Sequence, residues 1–300
     1  MAGFVRTTIS LVLLLAAVGA ALAGLGAHWL DRVARTPAPL HAIAGPLASD
    51  QRVMDAIAVE LSAAAVARLP AAVDTLPGVR TQLEDLIGRA VDAAMTDDGV
   101  TEAWHEAIDL SRADFVTGLD AMRTEGADAP TLWLPLAPFV ELGQARLVEM
   151  TPELLRPLVT ELDIPEEELR IALGRPDTVQ AGYAADGLAV ARHWIWFYAA
   201  AALLAVLGLA VGSRRGRWVA WTLAAGAGTV AVILGRHRLA EVSIPDGDSI
   251  AAAVQAGLVE GTMSSLLDWT APAVTVGWAL LALGLLGLAV SSARARGRVS

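Results

Sequence analysis

The chain has no cysteine, no lysine and no asparagine. Without cysteine there is no disulfide, no zinc–thiolate site and no thiol nucleophile. Without lysine, all 22 basic residues are arginine. The joint loss of lysine and asparagine codons points to a GC-rich bacterial genome, actinobacterial in type. Reaction signatures are missing too. There is no Gly-x-Ser-x-Gly, no P-loop, no complete Gly-x-Gly-x-x-Gly and no His-Glu-x-x-His, so no activity is specified. Charge is absent from four long stretches, residues 9–30, 194–212, 218–235 and 273–290, which contain no Asp, Glu or Arg. Ion pumps and proton-coupled carriers usually need intramembrane charge, so a transporter acting alone is disfavoured.

What is present is apolar: 55% of the 300 residues are hydrophobic and the mean hydropathy is +0.53. Each uncharged run reads as a helix long enough for a bilayer core of about 30 Å at about 1.5 Å per residue. The run that orients the chain is the second. Arg192 and His193 precede the rings Trp194, Trp196, Phe197 and Tyr198; an Ala/Leu/Val stretch follows, closed by Arg214, Arg215 and Arg217. Aromatic rings favour the interface, and arginines in short turns favour the cytoplasm.

The expected layout is mainly α, a four-transmembrane-helix bundle plus an extracytoplasmic helical domain with a short two-stranded β element. A cytoplasmic N-terminus (1–8) leads into span 1 (9–30). Residues 31–193 form the outside domain, followed by span 2 (194–212), a cytoplasmic turn (213–217) and span 3 (218–235). An outer loop with a helix (236–272), span 4 (273–290) and a cytoplasmic tail (291–300) complete it. The cytoplasmic parts then hold seven arginines and no acid, and the outside parts hold the other 15 arginines and all 32 acids, +7 against −17. Ala21-Leu22-Ala23 also fits a signal-peptidase site. The apolar run continues to Trp29, which favours a retained anchor.

Within residues 31–193, Arg35–Pro39 reads as an extended linker and Ser49 as an N-cap. Val53, Ile57, Leu61, Ala65 and Leu69 mark a helix over about 50–69. Pro77 opens a second helix with Val79, Leu83, Leu86, Ala90 and Ala94 inward. A third follows Gly99, with Val100, Trp104, Ile108, Phe115, Leu119 and Met122 inward. Thr131–Leu136 and Leu169–Leu173 read as paired strands. Helices over Pro138–Met150 and Pro152–Leu162, the latter capped by Thr151, lie between them. Asp177 caps a helix running straight into span 2. In the outer loop, Ile244–Asp248 is a turn, Ser249–Trp269 an amphipathic helix, and Pro272 opens span 4.

Few residues qualify as a site. His28, His193 and His237 fall at the outer ends of spans 1, 2 and 3, and their convergence would make a metal site or a pH-responsive contact. The plainer reading is polar rings at an interface. Glu102, His105, Glu106, Asp109 and Arg112 share one side of the third helix; a solvated, ion-paired face is the default reading for such a row, a divalent-ion site the sharper one. Glu166–Glu168 suits a helix N-terminus. Asp246-Gly-Asp248 is too short for a calcium loop. No catalytic residue, cofactor or metal is assigned.

Residues 44–58 after the first span, Thr101–Ala107, Ile164-Pro165, Ala189–Arg192, the arginine turn and Ile244-Pro245 carry a resemblance. The chain resembles an uncharacterised actinobacterial family of four-span integral membrane proteins with an extracytoplasmic helical domain. The resemblance implies the layout above and no reaction or ligand. The expected role is non-enzymatic: interaction, scaffolding or accessory work in the cell envelope. The expected partners are the lipid bilayer and a membrane or envelope protein, or a second copy of the chain, and no nucleic acid. A ligand- or lipid-binding module working through a partner is the alternative, and a membrane-embedded enzyme the third reading.

Overall fold

The computed structural model describes residues 2–69, 78–151, 169–241 and 250–296. Among them the protein is mainly α, with four helices long and apolar enough to cross a membrane and one two-stranded sheet. The chain divides into two compact units. Residues 1–33, 186–243 and 263–300 form an apolar unit, and residues 34–185 and 244–262 a polar unit.

The polar unit begins with the end of α1 (Ala2–Arg35). The expected linker is a single extended residue, Thr36, because Pro37 and Pro39 start helix α2 (Pro37–Ala44) instead of extending the chain. A 3₁₀ turn, Gly45–Ser49, follows. The N-cap of α3 (Gln51–Ala67) is Asp50, not Ser49: its carboxylate accepts from the Arg52 N–H. Helix α4 (Val79–Met95) starts from Gly78, which takes the left-handed conformation (φ 78°) at its N-cap; Pro77 lies outside the described residues. Helix α5 (Val100–Glu125) ends at Gly126, also left-handed. Strands β1 (Leu132–Pro135) and β2 (Arg170–Gly174) pair antiparallel as expected, with Leu134 opposite Ile171, and α6 (Ala137–Met150) follows β1. The helix over 152–162, its Thr151 cap and Glu166–Glu168 fall outside the described residues or depend on them.

The inward residues read from spacing are inward. Val53, Ile57, Leu61, Leu83, Leu86, Trp104 and Ile108 are buried in one cluster with Phe139 and Leu173. Phe115 and Met122 are only half-buried. Trp104 is fully enclosed, and its Nε1 donates to the Ala44 carbonyl at 2.9 Å, so the indole fastens α2 to α5. Val254 joins this core from the last helix.

Asp177 caps α7 (Thr178–Ala191), its carboxylate accepting from Gln180 N–H. That helix does not run straight into the span. A turn at Arg192–His193 separates it from α8 (Trp194–Val211). Helix α9 (Gly216–Ala240) returns, and α10 (Ile250–Arg296) is one helix of 47 residues. The expected break before span 4 is absent: Pro272 lies inside α10. A proline removes one backbone N–H from a helix. The carbonyl deprived of its donor is that of Asp268; in the same turn Arg236 Nη1 donates to the Leu267 carbonyl and Thr270 Oγ1 to that of Leu266.

In the apolar unit, α1, α8, α9 and α10 meet through small residues. Leu14 packs with Ala220 and Ala224. A Cβ on Gly208 would lie 2.9 Å from Leu14 Cγ, and one on Gly228 2.7 Å from Val18 Cγ1, so these helices approach where only glycine fits. Ser10, fully buried, donates to the Gly208 carbonyl at 2.7 Å. Trp221 Nε1 donates to the Leu280 carbonyl at 2.9 Å. Large apolar side chains point outward: Trp196 is 72% exposed, Leu203 61% and Val206 63%.

Candidate functional site

Each unit holds one group of side chains with the makings of a site. In the polar unit, α5 presents His105, Asp109 and Arg112 on the side where α2 crosses it. His41 of α2 joins them. Its Nε2 is 3.0 Å from Asp109 Oδ2, and its ring stacks on His105 with centroids 4.2 Å apart and planes 7° from parallel. Arg112 Nη1 donates to the Ala34 carbonyl at 2.9 Å, within the last turn of α1, where a cation also meets the negative end of the helix dipole. Arg112 Nε stands 3.5 Å from Asp109 Oδ1, an ion pair without a hydrogen bond. Glu102 and Glu106 are exposed on α5. The row read from the sequence therefore splits: its acidic outer members face solvent, and its inner three build a cluster.

This cluster orients an imidazole against a carboxylate, the arrangement that positions a general base. Here the imidazole's outer face is covered by a second imidazole. Asp109 is shared between His41 and Arg112, and Arg112 holds backbone. The geometry performs fastening of α1, α2 and α5. Among the described residues no group of three or more His, Cys, Asp or Glu side chains is placed to hold a metal ion. His41 was missed in the sequence because 35–39 reads as linker; the two prolines flanking Ala38 were the available signal for a helix start.

A second polar contact braces α4, α5 and α6. Asp97 accepts from the Gly99 N–H at 2.8 Å, and Arg146 donates to it through Nε at 2.9 Å. The Arg146 hydrogen bond first, then the Gly99 N–H, holds the Asp97 carboxyl below the usual carboxylate range; the same pairing raises Arg146. Nearby, α3, α4 and α6 enclose an apolar cavity of about 40 Å³ beside Leu61, Ile87 and Phe139, too small for more than a trapped small molecule.

In the apolar unit the three histidines whose convergence would have made a site take separate partners. His28 stacks on Trp194, centroids 3.9 Å apart, and meets Trp269 and Tyr198 edge-on at 5.0 and 6.5 Å. His193 Nδ1 is 3.2 Å from the Ala189 carbonyl one turn back. His237 lies 3.5 Å from Glu241 and is largely exposed. Trp269 closes the group, donating from Nε1 to the Leu25 carbonyl at 3.1 Å, with the Arg32 guanidinium 5.4 Å from its ring. Beside Trp269 opens a crevice of about 230 Å³ between α1, α9 and α10, lined by Leu22, Leu25, Val232 and Leu266, with Arg236 and Thr270 as its polar members.

Compared with known proteins, the chain matches no family model, no curated protein and no solved structure. The four span-capable helices make it a multi-pass membrane protein in its architecture.

Proposed function

We propose that this is a non-enzymatic protein of the bacterial plasma membrane, an interaction or accessory component of the cell envelope. Its termini are cytoplasmic and residues 31–193 lie outside. Membership of an actinobacterial four-span family is part of this reading. The observation that carries the interaction role is on α7. In the polar unit Val179 and Tyr183, one turn apart, are 65% and 76% exposed, while Ala181 and Ala185 behind them are buried. Large apolar side chains paired on a water-facing helix suit a partner surface. The polar cluster on α5 supports the same reading, since its hydrogen bonds go to backbone and to its own members. The retained anchor is supported by Ser10 and Leu14, both buried among the other spans.

Purification from native membranes in mild detergent, followed by native mass spectrometry, tests the role. A stoichiometric protein partner that is lost in Tyr183→Ser is the expected result; a chain recovered alone, or retained equally by the variant, refutes it. The same spectra read homo-oligomers and the mass of the N-terminus, which distinguishes a retained anchor from cleavage after Ala23. Topology is testable cleanly because the chain lacks cysteine. Asp128→Cys is expected to react with an impermeant maleimide in intact cells and Arg215→Cys only after lysis; the opposite pattern inverts the topology.

A second reading, a lipid-binding module, is favoured by the crevice beside Trp269.

A further inference from the structure

The crevice has one charged lining residue, and its position along α9 bears on what fills it. From Gly216 to Arg236 the helix rises about 30 Å, the thickness of a bilayer's hydrocarbon core. Gly216 adjoins the Arg214–Arg217 turn, so Arg236 stands one hydrocarbon thickness away, at the level of the opposite headgroups. Trp269 lines the crevice beside it, as interfacial tryptophans do. Ala231 and Val232, one turn deeper, carry the lining into the hydrocarbon region. The polar end of the crevice is thus at headgroup depth and its apolar end at acyl-chain depth.

Arg236 is half-buried. Both of its hydrogen bonds to the described residues, to the Leu267 carbonyl and to Thr270 Oγ1, are made by Nη1. Nε and Nη2 remain as donors in the forked geometry that matches a phosphate. Apart from Arg236 and Thr270 the lining is apolar, and a cavity of about 150 Å³ already holds a benzene-sized molecule. In a membrane the available filler is a lipid chain.

We propose that this crevice is a binding site for a glycerophospholipid of the surrounding bilayer. One acyl chain lies against Leu22, Leu25, Val232 and Leu266, and the phosphate rests on Arg236. The inference deepens the lipid-binding reading and rests on the chain spanning a bilayer.

The test uses the full chain in phosphatidylglycerol nanodiscs doped with one of two photoactivatable probes. One is a phosphatidylglycerol with a diazirine in its acyl chain. The other is a diacylglycerol with the same chain and no phosphate. Peptide mapping is expected to place the phosphatidylglycerol adducts on the segments around Leu22–Gly26 and Leu266–Thr270, at roughly tenfold the diacylglycerol yield, the scale of a charge-assisted contact. Arg236→Gln is expected to bring the two probes to equal yield. Ala231→Trp, which fills the crevice and leaves Arg236 in place, is expected to remove both sets of adducts. Arg238→Gln, on the same helix outside the lining, is expected to change neither. Adducts spread evenly over all four spans, or equal yields of both probes in the wild type, overturn the site while leaving the membrane reading intact. Adducts on no span overturn both.

Discussion

The two units solve the same packing problem in opposite solvents. In the polar unit the core is built on large side chains: Trp104 and Phe139 are fully buried, while Glu102, Glu106 and Asp128 face outward. In the apolar unit large side chains such as Trp196, Leu203 and Val206 face outward, and the buried positions are mostly small, among them Ser10, Ala201, Gly208, Ala220, Ala224 and Thr229, with Leu14 and Leu188 the larger exceptions. Water rewards burying apolar area. Lipid does not, so contact between spans depends on close backbone approach and on hydrogen bonds such as Ser10 to Gly208. The comparison shows that one chain uses size as the signal for the interior in one unit and smallness in the other.

Large-to-small substitution should divide the units most sharply. Trp104→Ala is expected to destabilise the polar unit by about 3–5 kcal/mol, partly by leaving the Ala44 carbonyl unpaired; Leu203→Ala, outward on α8, should stay within about 0.5 kcal/mol. Hydrogen exchange of the detergent-solubilised chain, resolved by peptide, reads both, and similar losses at the two positions would break the comparison. The reverse change comes next. Gly228→Leu drives a side chain into Val18 and is expected to cost about 1–3 kcal/mol or more. A lowered melting temperature in detergent checks it.

Acid sensitivity is a smaller effect and belongs to the polar unit. Because Arg146 and the Gly99 N–H lower the folded pKa of Asp97, its contribution is complete above the unfolded carboxylate value of about 3.9. It is lost as pH falls through the lower, folded value. Asp97→Asn should therefore be less stable than wild type near neutrality, with the gap closing in acid; a gap that persists unchanged at pH 2–3 contradicts the assignment. The smallest expected change is a gain. Gly88 lies inside α4, and a methyl added there would meet nothing within 4 Å. Gly88→Ala should therefore stabilise by about 0.5–1 kcal/mol, opposite in sign to the glycine change in the apolar unit. Denaturant titration followed by exchange at α4 peptides measures it.

Much of the architecture was legible one residue type at a time. Periodicity found α3, α4 and α5 because a helix with one wet face must repeat its apolar residues every three or four positions. The strand pair was visible in Thr131–Leu136 and Leu169–Leu173. At Gly24, Gly226, Gly228, Gly277, Gly284 and Gly287, all within the uncharged runs, a Cβ would meet a neighbouring helix within 3.4 Å. Helix ends were less legible. Pro272 reads as a start, since a proline suits a first turn, yet it sits inside α10, where it leaves the Asp268 carbonyl, four residues back, without its helical N–H donor. Pro37 and Pro39 read as extended and instead open α2. Local chemistry permits either outcome at a proline, and packing chooses.

The candidate site followed the same division. His105, Asp109 and Arg112 were grouped by spacing along one helix, but His41 lies 64 positions before His105, and no local pattern links them. His28, His193 and His237 were grouped by depth, which sequence reveals. Their partners depend on rotation about each helix axis, and a uniformly apolar span carries no signal for that rotation. The sequence by itself determined the number of span-length helices, the helical character of the region between the first and second of them and the sign of charge at each end, because these follow from composition within a window. Only the tertiary structure decided that Trp269 turns toward His28 and Leu25, that Arg236 stands over an apolar crevice, and that Arg112 holds the end of α1. Each of those depends on which faces of distant segments meet, and free energy at that level belongs to pairs of residues rather than to any stretch of chain.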